Sequence, residues 1–226
     1  MIPLRDENPT RTSPIVTIAL ITANAAVYLY QLTLPPKELF YFISEYGMTP
    51  ARLLGFAPAL HAGPPGALTL VTSQFIHGSL FHLLGNMLYL WIFGNNIEDI
   101  LGKTRFILFY LFCGVIAAIA HLALNPYSTL PMVGASGAIA GVLGAYLITF
   151  PGTRIQTLVI LIFFVTTVRV PAFYVLGLWF VMQLFYVLDS SGDQSTNVAY
   201  MAHIGGFVVG ILLMRRMRSR TRWKRG

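Results

Sequence analysis

Charge is what this chain has least of. Asp, Glu, Lys and Arg make up 10% of its 226 residues, and hydrophobic residues 56%, where soluble domains carry about a quarter charged. Such a chain cannot hide its apolar surface in one soluble core, which excludes an ordinary soluble enzyme. Acidic residues are the scarcest charges: Asp6, Glu7, Glu38, Glu45, Glu98, Asp99, Asp189 and Asp193. All eight sit near the ends of apolar runs or in loops, so no acidic pair lies within the runs for an aspartyl mechanism. His-Glu-x-x-His is absent, and with it that zinc chemistry. The single cysteine, Cys113, excludes an intrachain disulfide. No inverted repeat supports a transporter, and no low-complexity tract or second domain is visible. The opening "MIPLRDENPTRTSP" lacks the short apolar core of a signal peptide, so the first apolar run reads as a retained span.

What is present is a series of apolar runs near the roughly 20 residues that cross a bilayer: 15–34, 79–97, 106–124, 132–150, 171–188 and 197–214. A seventh, "IQTLVILIFFVTTVRV" (155–170), is short, rich in β-branched residues and bounded by Pro151-Gly152 and Pro171. The basic residues decide its place. The net charge is +7, and seven of the fifteen Lys/Arg residues fall in "RRMRSRTRWKRG" (215–226), directly after an apolar run. This marks a topology determinant rather than a nucleic-acid patch. With six spans and a cytoplasmic tail, thirteen basic residues lie inside and only Lys37 and Arg52 outside; seven spans leave ten inside. Six spans are expected, with 155–170 lying on the cytoplasmic surface. The connection 35–78 falls outside, as a partly membrane-embedded loop with short helices.

Polar residues inside spans are costly and mark candidate sites. Three clusters stand out: "FIHGSLFHLLGN" with His77, His82 and Asn86, "GASG" around Ser136, and "AHIGGFVVG" with His203. Each also has a structural reading, as interhelical glue, a packing serine or a histidine lining a polar cavity. His121 reads as packing and His61 as a loop residue. Depth couples the clusters. Under six spans the second, fourth and sixth run the same way, and Ser136 and His203 lie about 21 Å and about 17 Å from the cytoplasmic ends of theirs. His82 falls in the same outer layer. Gly137 with Gly141, and Gly206 with Gly210, form small-xxx-small faces that let two helices approach closely, the condition for a Ser136–His203 nucleophile–base pair. A helix start at Ser136 and the Asn86 amide, with His82, would supply oxyanion donors. No acidic third member is evident, so a dyad is expected.

At these residues the sequence resembles the rhomboid family of intramembrane serine proteases. "HLLGN" fits the family's His-x-x-x-Asn, "GASG" its Gly-x-Ser-Gly (Gly134 to Gly137), and "AHIGGFVVG" its Ala-His-x-x-Gly-x-x-x-Gly, in order, within about residues 15–214. The resemblance implies Ser136 as nucleophile and His203 as general base, with Asn86, His82 and the Ser136 backbone N–H as oxyanion hole. Glu98, twelve residues after Asn86, matches a family acid that braces the external loop and is given a structural role, as are Gly134, Gly137, Gly141, Gly206 and Gly210. Two positions depart from the family pattern: Leu68-Thr69 where a Trp-Arg pair is common, and Ala140 where an aromatic often stacks on the histidine.

The expected fold is an all-α polytopic membrane protein, a six-transmembrane-helix rhomboid-like bundle with a membrane-embedded external loop between helices 1 and 2. Residues 1–14 form a cytoplasmic N-terminal segment, 15–214 the membrane domain and 215–226 a basic cytoplasmic tail. The implied substrates are single-span or other membrane proteins, cut in or beside a transmembrane segment within the lipid bilayer. No metal, cofactor or nucleic acid is implied. The expected location is a prokaryotic plasma membrane with both termini cytoplasmic, an organelle membrane being the alternative. The competing reading is a non-catalytic rhomboid-like protein that binds membrane clients.

Overall fold

The structure is a computed structural model that describes residues 2–58, 64–161, 164–189 and 199–220. His61 and the end of the basic tail lie outside the described residues. Main-chain helices occupy all six long apolar runs: α1 (Ile15–Thr33), α5 and α6 (Leu80–Tyr89 and Asn95–Leu101, joined by a π-helical turn, Leu90–Gly94), α7 (Lys103–Leu124), α8 (Ser136–Thr149), α9 (Ala172–Asp189) and α10 (Tyr200–Arg220). Among the described residues, three short α-helices, α2 (Pro36–Tyr46), α3 (Pro50–Leu53) and α4 (Thr69–Thr72), and two 3-10 turns, Gly66–Leu68 and Ser73–Phe75, lie in the connection between α1 and α5. Among the described residues, α1 and α7 are each long and apolar enough to cross a membrane, and α8 and α9 are shorter apolar helices. The segment Gly66–Phe75 meets Leu80–Leu101 at 83°, and the pair would count as one further span.

The molecule is not all-α, which corrects the expected fold class. Residues Arg154–Leu161 (β2) and Phe164–Pro171 (β3) form an antiparallel hairpin, and Ile2–Asp6 (β1) pairs with β2 to complete a three-stranded sheet. The described residues of the segment 155–170 thus belong to two strands. Val, Ile and Thr dominate it and fit a pleated strand better than a helix, and Pro3 is tolerated because β1 is an edge. Glu7 and Arg169 form an ion pair across the sheet at 3.0 Å, and Arg5 Nε donates to Gln156 Oε1 at 2.7 Å.

The centre of the bundle is α8. Every residue from Gly137 to Tyr146 is buried, held between α7 and α10. A Cβ on Gly137 would lie 2.6 Å from Ala117 Cβ, and one on Gly141 2.5 Å from Cys113 Cβ, both on α7. On the other side, a Cβ on Gly206 would overlap Gly137 O, and one on Gly210 would overlap Gly141 O. Gly144 and Gly205 are equally crowded, against Phe207 O and Ala120 Cβ. Without side chains between them, the backbones of α8 and α10 touch.

Glu98 lies at the far end of the second apolar run from Asn86, about 18 Å along a helix, and it does not brace the external loop. Its carboxylate accepts from Val16 N (2.9 Å), Thr17 N (2.7 Å) and Thr17 Oγ1 (2.8 Å). The residue preceding α1 is Pro14, which caps nothing, so Glu98 meets the unpaired N–H groups of α1 from a neighbouring helix.

Candidate active site

Ser136 is the first residue of α8, and the chain reaches it through a constrained approach. Gly134 has φ +123°, and a Cβ there would lie 2.8 Å from both Cε1 and Nε2 of His82. Only glycine meets both demands. Gly134 N donates to Ser73 O at 2.9 Å, and Met48 and Met132 exchange backbone hydrogen bonds of 3.0 and 2.8 Å. The long connection before α5 is therefore pinned to the strand of chain that delivers Ser136.

His203 lies in the first turn of α10, with its Nε2 2.7 Å from Ser136 Oγ. Its Nδ1 lies 2.8 Å from Gln183 Oε1 on α9. The Trp179 ring, one turn before Gln183, lies 5.8 Å from the imidazole at 38°, and Tyr200 meets it edge-on at 6.3 Å. Ala140 leaves the fourth position after Ser136 small, and the aromatic cover of His203 comes from α9 and α10 instead. Both rings of the Tyr186–Tyr200 pair stack at 4.9 Å, which fastens α9 to α10 beside the site.

The third cluster is set by α5. Ser79 caps this helix through its Oγ, which accepts from His82 N at 3.2 Å. Asn86 is buried, and its Nδ2 donates to His77 Nε2 at 3.0 Å, which orients the amide and leaves its second N–H unused by this bond. His77 is itself held by its N–H to Gln31 Oε1 (3.1 Å), and its ring meets His82 edge-on at 5.1 Å. His82, Asn86, Ser136, Trp179 and His203 all line one cavity of about 560 Å³. The structure thus brings Ser136 and His203 into hydrogen-bond contact and sets His82 and Asn86 on the same cavity wall. Glu98 stands apart, at the start of α1. His121 is half-buried on α7 and makes no part of the cavity lining.

Trp179 and Gln183 were not among the residues expected from sequence. Gln183 is a lone amide in the run "AFYVLGLWFVMQLFYVLD", and a polar group inside a span was the available signal.

The fold and this arrangement define a helical membrane protein whose serine and histidine meet in a cavity between helices. A Rhomboid domain model matches residues 65–220, and the chain belongs to the rhomboid family. It is 38% identical over 200 residues to the mouse protein "Presenilin-associated rhomboid-like protein, mitochondrial", covering 85% of this chain and 46% of that one. It is 29% identical over 151 residues to "Rhomboid protein 1, mitochondrial" of Saccharomyces cerevisiae, covering 64% and 40%. The "Rhomboid protease GluP" of Bacillus subtilis is 44% identical over 78 residues, covering 34% and 15%. The chain spans less than half the length of these relatives, which come from mitochondria and from a bacterium.

Proposed function

We propose that this protein is an intramembrane serine endopeptidase in which Ser136 and His203 form a catalytic dyad. The observation that carries the reading is the 2.7 Å hydrogen bond between Ser136 Oγ and His203 Nε2 at the wall of a cavity. Family membership and the likeness to the Bacillus subtilis rhomboid protease support it. The substrates are membrane proteins, cut in or next to a transmembrane segment.

In the first half-reaction Ser136 Oγ attacks the scissile carbonyl carbon while its proton passes to His203 Nε2. The new C–O bond makes a tetrahedral centre whose oxyanion is met by the Ser136 backbone N–H, the free N–H of the Asn86 amide and His82. His203 then gives the proton to the leaving amine as the C–N bond breaks, and an acyl-Ser136 ester forms. Water, deprotonated by His203, attacks that ester; the C–Oγ bond breaks, His203 returns the proton to Ser136 Oγ, and the new carboxyl end leaves. His77 and Gly134 serve this geometry by holding Asn86 and admitting His82.

Six spans form the membrane domain in this reading, with both termini cytoplasmic and the α1–α5 connection set into the outer leaflet. The β1–β2–β3 sheet then caps the cytoplasmic end, where Arg5, Arg154 and Arg169 belong by the charge rule.

Cleavage of a model transmembrane substrate in proteoliposomes tests the dyad. Ser136→Ala and His203→Ala are each expected to lower kcat by at least about 1,000-fold, and a fluorophosphonate is expected to label Ser136 in the wild type alone of the three. Cleavage by either variant at the wild-type rate overturns the dyad. Absence of both cleavage and labelling in a folded wild type favours the client-binding alternative.

A further inference from the structure

We propose that Gln183 is a positioning residue that selects the Nδ1–H tautomer of His203 and so presents the Nε2 lone pair to Ser136. This rests on the dyad reading and adds a member that no part of the dyad supplies.

The burial pattern of α9 marks Gln183 first. Around it, Val181, Met182, Leu184, Phe185 and Leu188 are exposed, between 40% and 72%, while Gln183 is 6% exposed. Over this C-terminal half the helix turns those apolar side chains outward and its one amide inward, on the side where Leu176 is also buried. In a lipid environment that is the favoured arrangement, because an amide facing hydrocarbon loses its hydrogen bonds.

The two ends of the amide have different partners. Gln183 Nε2 donates to Trp179 O at 3.3 Å, and Oε1 faces His203 Nδ1 at 2.8 Å. A carbonyl oxygen accepts only, so the NH2 end belongs on Trp179 O and the oxygen on the ring. A flipped amide would set oxygen against oxygen at Trp179. With Oε1 on Nδ1, that ring nitrogen carries the proton, and a neutral imidazole then has its lone pair on Nε2. Ser136 Oγ–H donates into that lone pair, which is the arrangement a general base requires. The opposite tautomer would make Ser136 the acceptor and leave the base without a site for the proton.

Trp179 contributes twice. Its carbonyl holds the amide and its ring covers the imidazole, because residues four apart share one helix face.

The test is steady-state cleavage of a model transmembrane substrate by the full chain in proteoliposomes. The comparison covers wild type, Gln183→Leu and Gln183→Glu, with Ser136→Ala and His203→Ala alongside. Gln183→Leu is expected to lower kcat about 10- to 100-fold, part of the contribution a general base makes. KM is expected to stay within about twofold, because Gln183 is placed on the histidine and away from the substrate. Gln183→Glu keeps an acceptor at the same reach and is expected to recover most of the lost kcat. Thermal unfolding in detergent checks folding, and Gln183→Met, of equal length without the amide, replaces the leucine variant if that one unfolds. An unchanged kcat in Gln183→Leu, or equal losses in Gln183→Leu and Gln183→Glu, overturns the positioning role and leaves the dyad standing if the Ser136 and His203 variants are inactive. Full cleavage by those two variants overturns the dyad and this proposal with it.

Discussion

Gly210 has no room for a methyl group, since a Cβ there would overlap the carbonyl of Gly141 and run into backbone that has nowhere to move. Gly210→Ala is therefore expected to push α10 from α8 and cost about 1–3 kcal/mol of stability, with loss of cleavage because His203 rides on α10. Gly177, on the open side of α9, has nothing within 4 Å of its added Cβ, so Gly177→Ala is expected to hold or raise the unfolding temperature through helix propensity. Thermal unfolding of the two variants in one detergent checks the contrast; equal unfolding temperatures would sink it. The glycines at 137, 141, 206 and 210 were readable because a four-residue spacing repeats on one helix face. The crowding at Gly144 and Gly205 depends on which neighbour each faces, which spacing alone does not say. For the same reason Ser136 and His203 could be paired by depth, whereas Gln183 needed the rotation of α9 about its own axis.

At the scale of elements, the sheet shows where periodicity runs out. The run 155–170 carries β-branched residues throughout, but its apolar residues are continuous rather than alternating, which suits a buried strand or a short helix equally. The deciding partner, Ile2–Asp6, lies some 150 positions earlier and pairs Ile2 with Leu158 and Asp6 with Ile155. No local signal announces such a contact. What holds it is visible only in three dimensions: Asp6 Oδ2 accepts from Tyr146 OH and from Asn96 Nδ2, both at 2.7 Å, which ties β1 to α8 and α6. Burial raises the Asp6 carboxyl above its ordinary range, outweighing the lowering by its hydrogen bonds. The folded protein thus holds this proton more tightly than the unfolded chain does. Its contribution to stability is full below the unfolded pKa and is lost as pH rises through the folded one. The unfolding temperature of wild type relative to Asp6→Asn is therefore expected to rise as pH falls from 7 towards about 4. Other carboxylates cancel in that difference. A difference that stays flat across this range would contradict the assignment.

For the whole molecule, α8 sets the problem of topology. Its 14 residues reach about 21 Å, short of a hydrocarbon layer about 30 Å thick, and the run expected at 132–150 becomes helical only at Ser136. A short helix preceded by irregular chain is tolerated at membrane depth when protein surrounds it, and α8 is buried between α7 and α10. In the proposed six-span arrangement, crossing by α7 and then α8 returns the chain to the side from which it started, which puts Lys103 and Gly152 on one face and Lys37 on the other. All three positions are exposed, while Cys113 is buried and leaves the native thiol out of reach. Single cysteines placed by Lys37→Cys, Lys103→Cys and Gly152→Cys, probed with a membrane-impermeant maleimide on intact cells producing the protein, read this parity directly. Labelling is expected at 37 without permeabilisation and at 103 and 152 only after it. Labelling of 152 together with 37 would mean that α8 does not cross. That outcome would also place the start of α8 and the start of α10 at different depths, against the 2.7 Å contact between Ser136 and His203; the parity of the spans and the geometry of the dyad stand or fall together.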